Sequence, residues 1–372
     1  MSCKAELAAL RICWNRLLNE SPRPVPFLTW EWVYTWWEHF CENSRLLVLV
    51  ARNSAGATVG IAPLRLVRRK TFQLLPVWTI EFLGYKGSVV CSDHLDFITT
   101  HENRLQINEA LVNAIFDIQG EWDALNLADL AEDSLIPEIL QRKCNKRGQF
   151  TARTLAEICP YVLLPSTWTN LLTSLKKKRR SFVKTKRQRL LSSFDTQFVR
   201  DLKPADVAGQ LELLAELHTL SRGRKGERGN FANARYRNFH HAVAARMAEA
   251  GYLYIARLDC NGRTVAMVYG YKMGSTLFYY QTGYDAAFAN HGVGGVLLGM
   301  VMQDAIEVLG ITELDFLRGA EPYKYFWTQM ERNTSRVISC KRHAVGRISQ
   351  SEYVIRQHLG AWRVTIKQFC NP

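Results

Sequence analysis

No apolar stretch of this 372-residue chain reaches the roughly 18 residues that a membrane-crossing helix needs. Charges interrupt the opening M-S-C-K-A-E-L-A-A-L-R-I-C-W-N-R, which argues against a secretory leader. Nine cysteines occur, but none as C-x-x-C and none beside histidine at metal-ligand spacing. That excludes a zinc site and a disulfide framework as expectations; free thiols in a reducing cytoplasm fit best. What remains is ordinary globular composition, 47% hydrophobic and 22% charged. At this length two domains are expected rather than one core.

Acidic residues do not balance basic ones, and the formal net charge is +14. The surplus is local. Lys176 to Arg189, K-K-K-R-R-S-F-V-K-T-K-R-Q-R, holds nine cations and no anion, leaving +5 for the rest of the chain. Leu171, Leu175, Phe182, Val183, Leu190 and Phe194 keep a helical spacing through it, so one amphipathic helix is expected. Its basic face reads first as a solvated surface. An anionic ligand or a membrane-linked precursor comes second, and RNA third.

Two halves follow one plan. V-L-V-A-R-N-S-A-G-A-T-V-G (Val48 to Gly60) and Y-I-A-R-L-D-C-N-G-R-T-V-A (Tyr254 to Ala266) both give strand, glycine turn and strand. Each continues through strands and a helix to a closing strand, W-D-A-L-N-L or I-T-E-L-D-F. Strands are also expected at Thr79 to Leu83 and His94 to Ile98, and a helix at Leu105 to Ile118. The tryptophan-rich helix after Thr29, its N-cap, is expected to be core. The division reads as 1–160, 161–345 and a helical tail at 346–372, with the boundary near Cys159-Pro160.

The most informative segment begins at a strand, Leu277 to Gln281. A glycine turn, Gly292-Val293-Gly294-Gly295, opens a helix whose Val296, Met300, Val301, Ala305 and Val308 share one face. Gly310 ends it, and a strand from Ile311 to Leu317 follows. A glycine turn at a helix start presents bare N–H groups where the helix dipole favours anions. Such a turn is built to cradle a pyrophosphate. Ser92-Asp93-His94-Leu95-Asp96 yields no catalytic triad, because neighbours in a strand point to opposite faces. Asp315 and Arg318 could pair with each other.

The glycine turn resembles motif A of the GNAT acetyltransferase superfamily. Leu217 to Phe231 (L-H-T-L-S-R-G-R-K-G-E-R-G-N-F), Tyr252 to Ala266 and L-D-F-L-R-G-A-E-P-Y-K (Leu314 to Lys324) are similar to its CelD/BcsL branch, itself similar to the Fem aminoacyl ligases. The likeness covers Leu171 to Lys324 well and Phe27 to Leu130 more loosely. It implies an α/β (α+β) fold of two tandem GNAT-like domains, each a mixed, mostly antiparallel sheet flanked by helices, with the second active. It implies acetyl-CoA or another acyl-CoA as co-substrate, held at His291, Gly292, Val293, Gly294 and Gly295. Transfer would go to an amine or hydroxyl, on a polysaccharide or cell-envelope precursor, with a strand N–H near Thr282 to Tyr284 holding the oxyanion. Tyr323 follows as acid and Glu321, then Asp285, as base; Arg318, Lys324 and Lys178 are the substrate-binding candidates. No metal is implied. Ala289 departs from the family pattern, which has Arg or Gln there. The alternatives are a Fem-like ligase using aminoacyl-tRNA and a non-enzymatic RNA-binding scaffold of the same fold.

Overall fold

The computed structural model describes residues 3–71, 75–85, 90–200, 204–224, 226 and 228–341. The expected helical tail at 346–372 lies outside the described residues. The chain opens with α1 (Lys4–Ala9), α2 (Arg11–Asn19) and α3 (Trp30–Phe40). Thr29 caps α3 as expected, its side-chain oxygen accepting the Trp32 N–H at 3.2 Å. Trp32 and Trp36 are fully buried, so the aromatic helix is core.

Next come β1 (Ser44–Arg52), β2 (Thr58–Thr71), β3 (Leu75–Phe82) and the short β4 (Ile98–Thr99). The strand expected from His94 shrinks to β4, because His94 adopts φ 59°, a left-handed conformation no strand accommodates. The first half continues with α4 (Arg104–Asp117), β5 (Ala124–Leu130), α5 (Ile136–Lys146) and β6 (Phe150–Leu163).

The second half starts with α6 (Trp168–Ser174) and α7 (Lys177–Ser193). The single helix expected here is two, since Leu175 and Lys176 are extended (ψ 145° and 143°) and Leu175 turns inward, 6% exposed. Then follow β7 (Thr196–Val199), α8 (Val207–Gly223), α9 (Ala234–Glu249), β8 (Leu253–Cys260), β9 (Arg263–Met273) and β10 (Thr276–Tyr284). α10 (Val293–Glu307), β11 (Glu313–Asp315), α11 (Pro322–Tyr325) and β12 (Glu331–Cys340) complete the described chain. Gly310 takes φ 63°, the left-handed stop expected after α10. No helix among the described residues is long and apolar enough to cross a membrane.

All the described strands join one sheet in the order β1-β2-β3-β5-β12-β6-β11-β10-β9-β8-β7, with β4 on β2. The expected repeat is written in its pairing. β3 runs parallel to β5 and β10 parallel to β11, while the hairpins before them are antiparallel. The halves then exchange strands. After β5 the chain crosses to pair with β11 as β6; after β11 it crosses back to pair with β5 as β12. β6 and β12 pair with each other from Pro160–Glu331 to Phe150–Cys340. Cys159-Pro160 is therefore no linker but the interior of a strand shared by both halves. Proline is tolerated because only its N–H is missing; its carbonyl still accepts the Phe316 N–H at 2.9 Å.

One buried cluster joins α2, α3 and α4 to α8 and α9 across the halves, through Trp32, Phe40, Leu211, Phe239 and Tyr271. A second lies between α6, α7, α10 and the strands β8 to β11. The site opens between these two packings.

Candidate active site

β10 and β11 are parallel partners over only three residues, Thr276–Phe278 against Glu313–Asp315. Beyond that β10 stays with β9, while the chain after Asp315 bends off through Leu317 (φ 57°) and Gly319 (φ 105°). A bulge at Tyr280 slips the register with β9. Gly270 makes it possible, since a Cβ there would stand 2.2 Å from the Phe278 carbonyl oxygen. Gly283 likewise lets α8 lie directly on β10, a Cβ meeting the His218 nitrogen at 2.4 Å. The gap between the parting strands widens into a cavity of about 700 Å³.

α10 points its N-terminus at this cavity. Gly292, with φ 68°, is its N-cap, and Gly294 and Gly295 line the wall. The Val296 N–H makes the first helical bond, to the Gly292 carbonyl at 3.0 Å, so residues 293–295 offer N–H groups without intrahelical acceptors. A Cβ at Gly295 would meet nothing within 4 Å, which leaves room for an anion to approach the backbone. Val293 does not line the cavity, its side chain being fully buried. His291 does not line the cavity; its ring stands edge-on to Phe194 at 5.0 Å. α7 brings two cations to this wall. Lys186 lays its methylenes over Gly292 and donates to the Asn290 carbonyl at 3.0 Å, and Arg187 lies on the same wall. Lys178 is exposed and outside the cavity.

Of the acid–base candidates, Tyr323 and Glu321 line the cavity and Asp285 does not. Tyr323 keeps 42% of its surface exposed, yet desolvation of its hydroxyl end against the wall, with Tyr279 and Glu321 beside it, raises its pKa above the ordinary tyrosine value. Its ring lies 6.2 Å from Phe316 and 6.5 Å from Tyr279. Asp285 is turned away because it caps the short helical turn after β10, accepting the Ala287 N–H at 2.9 Å and pairing with Arg263. Lys324 is buried and fully used. Its ammonium donates to the carbonyls of Leu317, Arg318 and Gly319 and pairs with Glu321 at 2.9 Å. It holds the turn after β11 and has no donor left for a substrate.

Arg318 also lines the cavity, but it pairs across the halves and not with Asp315. Its guanidinium lies 2.6 Å from Asp93 and 2.9 Å from Asp129. Burial works against its charge; Asp93 and Asp129 outweigh that and raise its pKa. Burial pushes Asp129 up to about 6 despite Arg318. His94 Nε2 stands 3.1 Å from Asp315, so Asp93 and His94 do point apart, but outside any strand, each meeting a different residue of the second half. Arg318→Ala would leave Asp93 and Asp129 buried without a cation. The expected loss is about 3–5 kcal/mol of stability in urea unfolding; a loss below 1 kcal/mol would show the network to be incidental.

Sequence reasoning did not find Lys186, Arg187 or the wall at the far end of the cavity, formed by Cys91, Asn230, Tyr236, Tyr280 and Gln281. Lys186 and Arg187 follow Phe182 and Val183 by one helical turn, but Lys178 precedes Phe182 by the same interval, so the spacing does not single them out. No local signal marks the others. Among the described residues no cluster of His, Cys, Asp or Glu could hold a metal ion.

Residues 177–325 match the family model of the acetyltransferase (GNAT) domain. FemX is similar in structure, with a TM-score of 0.62 at 12% identity over 87% of this chain and 94% of that one. So is a conserved protein of unknown function from Bacteroides thetaiotaomicron VPI-5482, at 0.57 and 14% over 91% and 99%. The C-terminal domain of a putative lysylphosphatidylglycerol synthetase from Agrobacterium fabrum gives 0.52 and 9% over 95% and 97%. At such identities the likeness is one of fold. No protein of curated function matches the sequence.

Proposed function

We propose that the second half carries an acyltransferase site using acetyl-CoA or another acyl-CoA. The acyl group would go to an amine or hydroxyl of a polysaccharide or cell-envelope precursor. One observation carries this reading: the bare first turn of α10 opens into the cavity at the point where β10 and β11 part. Gly292, Gly294 and Gly295 suit a pyrophosphate, and Lys186 and Arg187 supply positive charge to it. The acceptor would attack the thioester carbonyl directly. The carbonyl oxygen would be stabilised by a β10 N–H near Thr282 to Tyr284, in the stretch beyond the last β11 pair. Glu321 would take the acceptor's proton and Tyr323 would give one to the departing thiolate.

Titration calorimetry with acetyl-CoA and with free CoA tests the reading, and one-to-one binding of acetyl-CoA is expected. Binding of neither would overturn it. The wall residues should separate from the rest of the basic helix. Lys186→Gln should weaken acetyl-CoA binding roughly 10-fold, the loss of one charged contact, while Lys177→Gln with Lys178→Gln should leave it unchanged. Submicromolar RNA binding at physiological salt, lost in that double variant, would favour the aminoacyl-tRNA route instead.

A further inference from the structure

The two ends of the cavity differ in chemistry. The α10 end carries the bare N–H groups with Lys186 and Arg187. At the opposite end, where the halves meet, stand Tyr236, Tyr280, Gln281, Asn230 and Cys91. The Tyr236 hydroxyl meets the Gln281 amide at 3.5 Å. Behind Tyr280 lies fully buried His240, with Nε2 3.5 Å from the Tyr280 hydroxyl and Nδ1 3.2 Å from that of Tyr269.

None of these groups carries charge at neutral pH. Burial pushes His240 down to about 3 and the Cys91 thiol up to about 11. Burial also raises both tyrosines above their ordinary value. Of the charged side chains near this wall, Asp93 is engaged by the Arg318 guanidinium, and Arg222 is engaged by a partner of its own. An ammonium or a phosphate brought here would lose its hydration and find only counter-charges already engaged by other groups. A hydroxyl-bearing group would find several neutral donors and acceptors and aromatic rings to lie against.

We propose that this end is the acceptor subsite and that it selects an uncharged, polyhydroxylated group, bound through Tyr236, Tyr280, Gln281 and Asn230. The assignment rests on the acyl-transfer reading for its name, but its chemistry is tested by binding alone. Full-length protein is titrated with methyl glucoside, glucosamine and glucose 6-phosphate, which present one ring as neutral, cationic and anionic. Methyl glucoside should bind at least 10-fold more tightly than either charged sugar. Tyr236→Phe and Tyr280→Phe keep the rings and remove only hydroxyls. Together they should weaken methyl glucoside about 10-fold, the scale of two neutral hydrogen bonds, with acetyl-CoA affinity unchanged. If the double variant melts lower without ligand, the single variants are compared, each with a smaller loss.

Preference for glucosamine or glucose 6-phosphate, binding of none of the three, or methyl glucoside affinity unchanged by losing the hydroxyls would overturn the proposal. Methyl glucoside binding that depends on Tyr236 and Tyr280, without acetyl-CoA binding, would sink the acyl-transfer reading and leave the neutral sugar subsite standing.

Discussion

Gly294→Asp is expected to abolish the stabilisation that acetyl-CoA gives the native protein. A ligand that binds only the folded state raises its stability by about 2.7 kcal/mol at a hundred times its dissociation constant. Gly294 is the second residue of α10 and lines the cavity. A Cβ there would meet the Tyr284 ring at 3.6 Å, an ordinary contact, so the substitution fits. A carboxylate in the first turn of a helix is also favourable to the helix. The variant should thus melt near the parent temperature without ligand, which separates folding from binding. With ligand, a carboxylate occupies the place of the pyrophosphate and repels it, and affinity should fall roughly 100-fold or more. An undiminished thermal shift in a well-folded variant would make the glycine turn a packing device only.

Tyr323→Phe should lower kcat by roughly 10²-fold, the scale of losing a general acid, with KM for the acyl-CoA little changed. The hydroxyl stays protonated at neutral pH because desolvation at the wall, Tyr279 and Glu321 all raise its pKa. The ring contacts with Tyr279 and Phe316 survive in phenylalanine, so packing is preserved. Steady-state rates with saturating acceptor decide the matter. Turnover equal to the parent's would assign Tyr323 to the cavity wall and leave water to protonate the thiolate.

The tandem plan and the glycine turn were legible because both are local patterns. A strand, a glycine at the N-cap and an apolar helical face lie within thirty residues, and the structure places Gly294 and Gly295 on the cavity. Proximity in sequence was a poorer guide for Asp285. It stands near the turn but spends its oxygens on Ala287 and Arg263. Lys324 was visible as a charge, but not that three carbonyls would consume it. Within nine clustered cations, Lys186 reads no differently from Lys178 until the packing of α7 over Gly292 decides which one faces inward. Tyr236, Tyr280 and Cys91 meet only through contacts between distant segments, a kind of information that periodicity does not carry.

The crossing of β6 and β12 also sets an order of events during synthesis. When residue 163 has been made, β5 has every neighbour but one, and that neighbour is β12, more than 160 residues further along. The first half must wait on the ribosome with the edge of β5 bare and with β6 lacking both its partners. Bare edges recruit other chains. The nascent chain is accordingly most vulnerable to aggregation before residues 331–340 emerge, when a single strand pairs with both β5 and β6 and joins the halves into one sheet. A cut anywhere between β6 and β12 yields fragments that can regain their sheets only by meeting each other.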